Sequence, residues 1–343
     1  MDTLTHALSG AVAARLVAPA ASGGRRPDAR RWTLAGTLAA AFPDIDFVLT
    51  FIDPLLYLSQ HRGLTHSLIM LPLWALLLGW LCALVTRCPA HWRAYTAVCA
   101  LGVGIHIAGD MITSYGTMIL APVNWSSYAW GTTFIIDPWL SGLLLIGVVG
   151  LWARRPRLWA GAALSACVAL ISFQAWQLSR AHDVAENQVR TAGLDAKSVR
   201  VYPQPVSPWR WLLVVDTGDS YHHARVDLRR DEAAAPVADD AGGWRRLAAH
   251  YQPPDAAQWH TSARWPAVHE ALAREAWGHP EMARYRRFAR YPLVHQVVLS
   301  PQRKCVWFRD MRFDLPGRTP PFRYGMCHDA QDQDWVRDQQ GYW

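Results

Sequence analysis

The sequence lacks the short motifs that mark several common hydrolase and metal-binding classes. None of its six cysteines forms a Cys-x-x-Cys pair, so a thiolate zinc site is not expected. It has no His-Glu-x-x-His segment, which argues against a zincin-type membrane protease, and no Gly-x-Ser-x-Gly segment, which argues against a serine esterase. Any catalytic or metal site must therefore be assembled from other residues.

The N-terminus lacks the features of a cleaved signal peptide. No basic region precedes the apolar stretch Leu4–Ala20, and Arg25 and Arg26 follow it in place of a processing site. We expect this stretch to be retained.

Charge is scarce up to about Leu178 and abundant after Arg180. This contrast predicts two domains: a helical membrane domain over residues 1–180 and a soluble α+β domain over residues 181–343. Six membrane spans are the best count, with four or five as alternatives. The predicted spans are Thr3–Ala20, Trp32–Thr50, Ser67–Thr86, Ala94–Gly109, Pro138–Ala153 and Leu158–Ser179.

Arginines predict the orientation of these spans. They cluster in alternate connections, which are expected to be cytoplasmic because basic residues favour that side of the membrane. The N-terminus, residues 44–66 and 110–137, and everything after Arg180 are then extracytoplasmic. Arg62 lies on that side and is a mild exception. The clusters are Arg25, Arg26, Arg30 and Arg31; Arg87 and Arg93; and Arg154, Arg155 and Arg157.

Five short polar segments fall on the predicted extracytoplasmic side. Histidine and aspartate are costly to place at a membrane edge, so their presence there indicates function. The spacing of His106 and Asp110 puts both on one helix face. The segments are Asp2-Thr3-Leu4-Thr5-His6, Pro43-Asp44-Ile45-Asp46, His61-Arg62-Gly63-Leu64-Thr65-His66-Ser67, His106 with Asp110, and Asp137-Pro138.

Together these residues predict a metal centre at the membrane surface. Mixed imidazole and carboxylate donors suit a divalent transition metal: zinc foremost, with manganese, iron or nickel as alternatives. There are more donors than one tetrahedral ion needs, so some support the ligands or the site holds two ions. The candidate ligands are His6, Asp44, Asp46, His61, His66, His106 and Asp110.

Several segments also have a purely structural interpretation. Pro43-Asp44-Ile45-Asp46 is typical of a turn that ends a helix. His106 and Asp110 are also compatible with a buried hydrogen-bonded pair. Asp137-Pro138 is equally compatible with a helix N-cap followed by proline and with a catalytic role.

The order and spacing of these segments resemble the YdjM-like membrane-bound metal-dependent hydrolases over roughly residues 1–140. The resemblance implies a bacterial inner-membrane protein that uses a bound metal to hydrolyse its substrate. The matching segments are Met1-Asp2-x-x-Thr5-His6-Ala7-Leu8-Ser9-Gly10, Phe42-Pro43-Asp44-Ile45-Asp46, His61-Arg62-Gly63-Leu64-Thr65-His66-Ser67, His106-x-x-x-Asp110-x-x-Thr113-Ser114-Tyr115-Gly116-Thr117 and Phe134-Ile135-Ile136-Asp137-Pro138-Trp139.

For a hydrolase, the nucleophile is a metal-activated water, and Asp44, Asp110 and Asp137 are the candidate general bases. Arg62 is a candidate to bind an anionic oxygen of the substrate. A phosphoester or a lipid-linked substrate suits a site at headgroup level. The alternative is a non-enzymatic metal-binding membrane protein or an ion carrier. A carrier would place polar groups near the midplane of its spans, whereas these cluster at one edge.

The polar half is predicted to contain a small sheet, with strands near Trp209–Thr217, Arg225–Leu228, Val294–Leu299 and Val306–Phe308 and helix over residues 256–290. Cys305 and Cys327 are able to pair if this half is outside the cytoplasm. The net charge of +7 is explained by membrane orientation, so the bilayer, and not nucleic acid, is the expected partner. No sequence feature indicates the oligomeric state.

Overall fold

The computed structural model describes residues 1–18, 28–234, 243–329 and 334–340. The chain forms two compact units. The helical unit comprises Met1–Asp53, Gln60–Trp176 and Pro205–Pro208, and the second unit comprises Pro54–Ser59, Gln177–Gln204 and Trp209–Trp343. Arg25 and Arg26, two of the residues that predict the orientation, lie outside the described residues.

In the described part of the chain, seven α-helices precede the first strand. They are α1 (Thr3–Val17), α2 (Ala29–Ala41), α3 (Pro54–Gln60), α4 (Leu71–Val85), α5 (Trp92–Met111), α6 (Pro138–Gly150) and α7 (Pro156–Ala192). Short 3-10 helices cover Phe42–Phe51, Leu64–His66 and Pro89–His91. The predicted domain boundary at residue 180 falls inside α7, which continues without a break to Ala192.

Six spans are not confirmed. Three helical segments in the described part of the chain are long and apolar enough to cross a membrane: Ala29–Phe51, Pro89–Met111 and Pro156–Ala192. A fourth exists if the bent pair Pro54–His66 and Leu71–Val85 forms one span. Helices α1 and α6, predicted as the first and fifth spans, have only 15 and 13 residues, whereas about 20 are needed to cross the hydrocarbon.

Glycines allow α1, α2 and α5 to pack in close contact. A Cβ atom added to Gly36 on α2 would lie 2.4 Å from the Ala14 Cβ on α1. One added to Gly102 on α5 would lie 2.8 Å from both the Ala39 Cβ and the Gly36 carbonyl oxygen. Small residues of this kind are typical of packed membrane helices, where backbones approach closely. Gly102 is one turn before His106, so the contact helps to fix the position of that imidazole.

The second unit contains two four-stranded antiparallel sheets, so the α+β prediction is confirmed for the region after α7. The strand order is β1-β2-β3-β4 in one sheet and β5-β6-β7-β8 in the other. The strands are β1 (Ser198–Pro203), β2 (Arg210–Asp216), β3 (Ser220–Asp227), β4 (His260–Ala263), β5 (Pro292–Leu299), β6 (Arg303–Asp310), β7 (Arg323–Asp329) and β8 (Trp335–Gln340). Three short helices accompany them: α8 (Gly243–Ala249), α9 (Glu270–Gly278) and α10 (Ala283–Phe288).

The prediction of helix throughout residues 256–290 is wrong at its start. Residues His260–Ala263 pair with β3, from His223↔His260 to Ser220↔Ala263. The open edge of β3 satisfies the backbone groups of this segment, and that tertiary pairing overrides the local alanine content.

Cys305 and Cys327 form a disulfide. They are directly opposed in the register of β6 and β7, so the bridge joins two neighbouring strands. Both cysteines are buried.

Candidate metal centre

Four donor atoms from three separate segments converge in the helical unit. The His66 Nε2 atom lies 3.6 Å from Asp44 Oδ1 and 3.2 Å from Asp110 Oδ2. The His106 Nε2 atom lies 3.6 Å from Asp44 Oδ1 and 3.4 Å from Asp110 Oδ2. Ligand atoms about 2.1 Å from a tetrahedral ion are separated by about 3.4 Å, so this spacing matches a four-ligand zinc site. We call these four residues the inner group.

Local sequence explains how each member reaches the centre. Pro43 lacks an amide hydrogen and cannot continue α2, so the chain changes to a 3-10 helix that carries Asp44. His66 ends the short 3-10 helix that follows Gly63. His106 and Asp110 are one turn apart on α5 and are directed to the same side.

Hydrogen bonds fix the protonation of the His106 ring. Its Nδ1 atom lies 2.6 Å from the Ala40 carbonyl oxygen, which can only accept, so Nδ1 carries the proton. In the neutral ring this leaves a lone pair on Nε2, directed at the other donors. The Nδ1 atom of His66 similarly lies 2.9 Å from Thr65 Oγ1 and 3.6 Å from Asp46 Oδ2. Such partners orient metal-ligating histidines.

The inner group fits a bound cation. His66, His106 and Asp110 are fully buried, yet His66 Nε2, His106 Nε2 and Asp110 Oδ2 have no hydrogen-bond partner within the described ranges. Buried polar atoms are nearly always satisfied, and lone pairs that face one another repel. A divalent metal ion would satisfy all four atoms at once.

Arg62 binds Asp110 and is not available to a substrate. Its guanidinium Nη2 atom lies 2.9 Å from Asp110 Oδ1, and Nη1 donates to Thr113 Oγ1 at 2.7 Å. The residue is 2% exposed. The sequence predicted that Arg62 binds an anionic oxygen of the substrate, but its guanidinium has no open surface to which a substrate could bind. Arg62 also has a positive φ of 63°. Such conformations cost on the order of 1 kcal/mol and persist where their surroundings enforce them.

His6 lies beside the inner group. Its ring stacks on His106 with centroids 3.6 Å apart, and its Nε2 atom lies 3.1 Å from Asp110 Oδ1. The Met1 amino group also contacts Asp110 Oδ1. His6 therefore contacts two members of the group from the side and is not one of the four converging donors.

Asp46 and His61 form a second, outer pair. The His61 Nδ1 atom lies 3.0 and 3.1 Å from the two Asp46 oxygens. Asp46 also accepts the Arg62 backbone N–H at 3.1 Å. Of the seven ligands predicted from sequence, the structure thus gathers four into one cluster and places the other three around it.

Asp137 caps helix α6. Its Oδ1 atom accepts the backbone N–H groups of Trp139 and Leu140 at 2.9 and 3.0 Å, and its Oδ2 atom accepts from Gln174 Nε2 at 2.6 Å. With both oxygens engaged, these contacts favour the N-cap alternative over the catalytic one.

Two contacts of the site have no sequence signal. The Ala40 carbonyl orients His106 only because α2 and α5 pack closely. Thr3 donates from Oγ1 to Asp44 Oδ2 at 2.6 Å, across 41 residues of sequence. Of the inner group only Asp44 is partly exposed, with 15% of its side chain accessible.

Cys305, Cys327 and Asp338 form another group of nearby donors. The disulfide engages both sulfur atoms, so this group offers no thiolate to a metal.

A helical region with apolar spans around a buried cluster of imidazoles and carboxylates defines a membrane protein with a candidate metal site. The chain belongs to the YdjM inner membrane protein family, whose sequence model matches residues 1–181. It is also 28% identical over 141 residues to the uncharacterized protein YfhP of Bacillus subtilis (strain 168). That match covers 41% of this chain and 43% of the relative, so the chain spans less than half of that relative's length. No solved structure matches the chain.

Proposed function

We propose that this protein is a membrane-bound metal-dependent hydrolase with one zinc ion in the inner group. The observation that carries the proposal is the convergence of one donor atom from each of four residues, all within 4.8 Å of one another and with imidazole-to-carboxylate distances of 3.2–3.6 Å. Imidazole and carboxylate donors in this number favour zinc over calcium or magnesium, which prefer oxygen ligands.

The difference in burial suggests how the four residues divide their work. His66, His106 and Asp110 have fully buried side chains, which suits permanent ligands and matches the two-histidine, one-carboxylate set of many catalytic zinc sites. Asp44 is the partly exposed member. It is therefore our candidate general base, positioned to take a proton from an attacking water molecule.

A metal ion in this position would act as a Lewis acid and lower the pKa of a water molecule beside it. The residues of the chain would do the rest. Arg62 and His6 hold the Asp110 carboxylate from one side, and Thr65 holds His66 and donates to Asp46. The substrate class we favour is a phosphoester, because a divalent ion in the inner group would attract its anionic oxygens.

The alternative function is a non-enzymatic metal-binding membrane protein. One observation favours it: four protein donors at tetrahedral spacing fill the coordination of a zinc ion, and structural sites are closed in this way whereas catalytic sites keep one position open. The two functions therefore differ in whether Asp44 remains a ligand.

Substitution of Asp44 by asparagine separates these functions. If Asp44 is a general base, D44N retains about one metal per chain, and hydrolysis falls by about 100-fold, the range expected for loss of a general base. If the site is structural, D44N binds metal more weakly and the wild type releases no product from any phosphoester. Elemental analysis and a phosphate-release assay on the same preparations give both readouts.

We also propose that the sheet-containing region lies outside the cytoplasm. Two independent features support this placement. The arginines of the alternate connections predict it from sequence, and a disulfide between Cys305 and Cys327 is typical of an oxidising compartment. Labelling of a cysteine introduced at the exposed position Val268 by a membrane-impermeant maleimide in intact cells tests it, and labelling only after lysis would contradict it.

A further inference from the structure

Only one residue of the inner group, Asp44, is accessible at the surface of the helical unit. The side chains of His66, His106 and Asp110 are fully buried, whereas Asp44 is 15% accessible. His61 is also partly exposed, but its ring is bound to Asp46 and does not belong to the inner group. A substrate that reaches the proposed metal must therefore pass beside Asp44 and its hydrogen-bonded partner Thr3.

The residues that follow Thr3 and Asp44 in the sequence are apolar and exposed. Leu4, which follows Thr3, is 67% exposed, and Ile45, which follows Asp44, is 49% exposed. Farther along the 3-10 helix, Phe47 and Phe51 are 52% and 82% exposed. A site for water-soluble metabolites would carry a polar rim, whereas exposed apolar clusters of this extent mark contact with a membrane or a partner.

These exposed apolar residues are expected to contact the lipid bilayer. The 3-10 helix continues α2 within the candidate span Ala29–Phe51, and the chain belongs to an inner membrane protein family. Ile45, Phe47 and Phe51 therefore lie at the end of a spanning segment, where lipid headgroups meet acyl chains.

We propose that the substrate is a membrane lipid phosphoester that enters sideways from the bilayer, with its headgroup at Asp44 and its acyl chains against Leu4, Ile45 and Phe47. This inference rests on the proposed hydrolase function and names its substrate class. A free phosphoester shares the headgroup chemistry, but only a lipid uses the apolar rim.

The reaction is a hydrolysis in which atoms balance without a further reactant. The oxygen of a water molecule forms a bond to phosphorus as the bond from phosphorus to the alcohol oxygen breaks. Asp44 accepts one proton of the water and then delivers that same proton to the departing alcohol oxygen, which returns Asp44 to its starting form. The products are an inorganic phosphate and a diacylglycerol when the substrate is phosphatidic acid.

The test compares two phosphomonoesters that differ in their acyl chains, glycerol 3-phosphate and dioleoyl phosphatidic acid, with the full chain in nanodiscs. We expect kcat/KM to be at least about 100-fold higher for phosphatidic acid, because buried acyl surface adds binding energy. Binding of phosphatidic acid to the metal-loaded protein, measured by native mass spectrometry in detergent, provides a readout independent of turnover.

A rim variant and a matched control sharpen the comparison. Ile45→Asn is expected to weaken phosphatidic acid binding and raise its KM by about tenfold, with an unchanged metal content. The control is Ile146→Asn on α6, whose native side chain has a similar exposure of 57%. It should behave as wild type.

The outcomes separate the two proposals. Equal kcat/KM for both esters, or equal effects of I45N and I146N, would overturn the lipid inference while leaving the hydrolase proposal intact. A chain that holds about one metal ion and releases phosphate from neither ester would overturn both.

Discussion

Two buried arginine–aspartate pairs, one in each unit, show how differently the regions use charge. In the sheet-containing unit, Asp310 is fully satisfied: its oxygens accept from the Arg312 side chain at 2.7 and 2.9 Å and from the backbone N–H groups of Arg290 and Arg312. In the helical unit, Arg62 holds only the Oδ1 side of Asp110, and Oδ2 faces His66 and His106 without a donor.

The comparison teaches that burial of charge alone does not indicate a functional site. Asp310 with its four donors is a structural network, because nothing remains for a ligand to satisfy. Asp110 has one oxygen without a hydrogen-bond donor, and donor atoms of three other residues lie close enough to bind the same cation. What marks the candidate centre is the unsatisfied remainder of its hydrogen-bonding capacity.

The largest expected effect breaks the inner group itself. His66→Ala should lower metal affinity by at least about 1,000-fold, because the binding free energy of a zinc site, about 10–16 kcal/mol, is shared among few ligands. Metal content after dialysis is the measurement. The matched control is His61→Ala, whose ring lies 5.6 Å from that of His66 but outside the inner group. Equal loss of metal in both variants would contradict the assignment.

The second prediction breaks the structural pair. Asp310→Asn removes the carboxylate charge that faces the buried Arg312 guanidinium and should destabilise the fold by about 3–5 kcal/mol. Thermal unfolding of the full chain in detergent measures this. The metal content of the folded D310N protein should remain that of the wild type, and a loss of metal without a loss of stability would remove the distinction between the two pairs.

An intermediate effect is expected at the outer pair. Asp46 reaches His66 through the Thr65 hydroxyl, which lies 2.9 Å from His66 Nδ1 and donates to Asp46 Oδ2 at 3.4 Å. Asp46 does not join the four converging donors, so Asp46→Asn should weaken metal binding by about 10–100-fold, as for other partners of metal-ligating histidines. Competition with a chromophoric chelator gives the affinity. An affinity equal to that of His66→Ala would make Asp46 a ligand.

A smaller effect tests the helix packing that positions His106. Gly102→Ala places a Cβ atom against α2 and should cost about 1–3 kcal/mol of stability, as overpacking does. Gly104→Ala on the same helix is the control, because its added Cβ would meet its nearest neighbour, in the Leu71 side chain, at 3.7 Å. Similar unfolding temperatures for the two variants would argue against close contact of α2 and α5.

The smallest effect concerns the pH dependence of the sheet-containing unit. Burial, with Arg225 and His260 nearby, lowers the pKa of His223 from 6.5 to about 4. Between these values the unfolded chain binds the proton and the folded chain does not, so stability falls as the pH drops from 6.5 to 4. His223→Gln should flatten this dependence of the unfolding temperature, and an unchanged slope would show that other groups cause it.

The residue types of the site, and the fact that they converge, were predictable from the sequence. Ionisable residues at the ends of apolar runs are energetically costly, so their presence in five such places indicates a shared site. The sequence did not separate the inner donors from the outer ones. That distinction depends on helix rotation and on the contact of Gly36 and Gly102, which no local pattern reports.

The fold was predictable in the same uneven way. Strands β2, β3, β5 and β6 overlap the predicted β-favouring segments, whereas β1, β7 and β8 were not predicted. Strand β4 depends on pairing with β3, and pairing between distant segments is not visible in local composition. The six-span count is not confirmed for α1 and α6, because an apolar stretch does not fix where the helix ends.

The central claim is tested most directly by the metal content of the full-length wild-type protein, purified in detergent without chelators and measured beside His106→Ala. The account predicts about one zinc ion per wild-type chain and none in the variant. A folded wild-type protein without bound transition metal, or equal metal in both proteins, would contradict it.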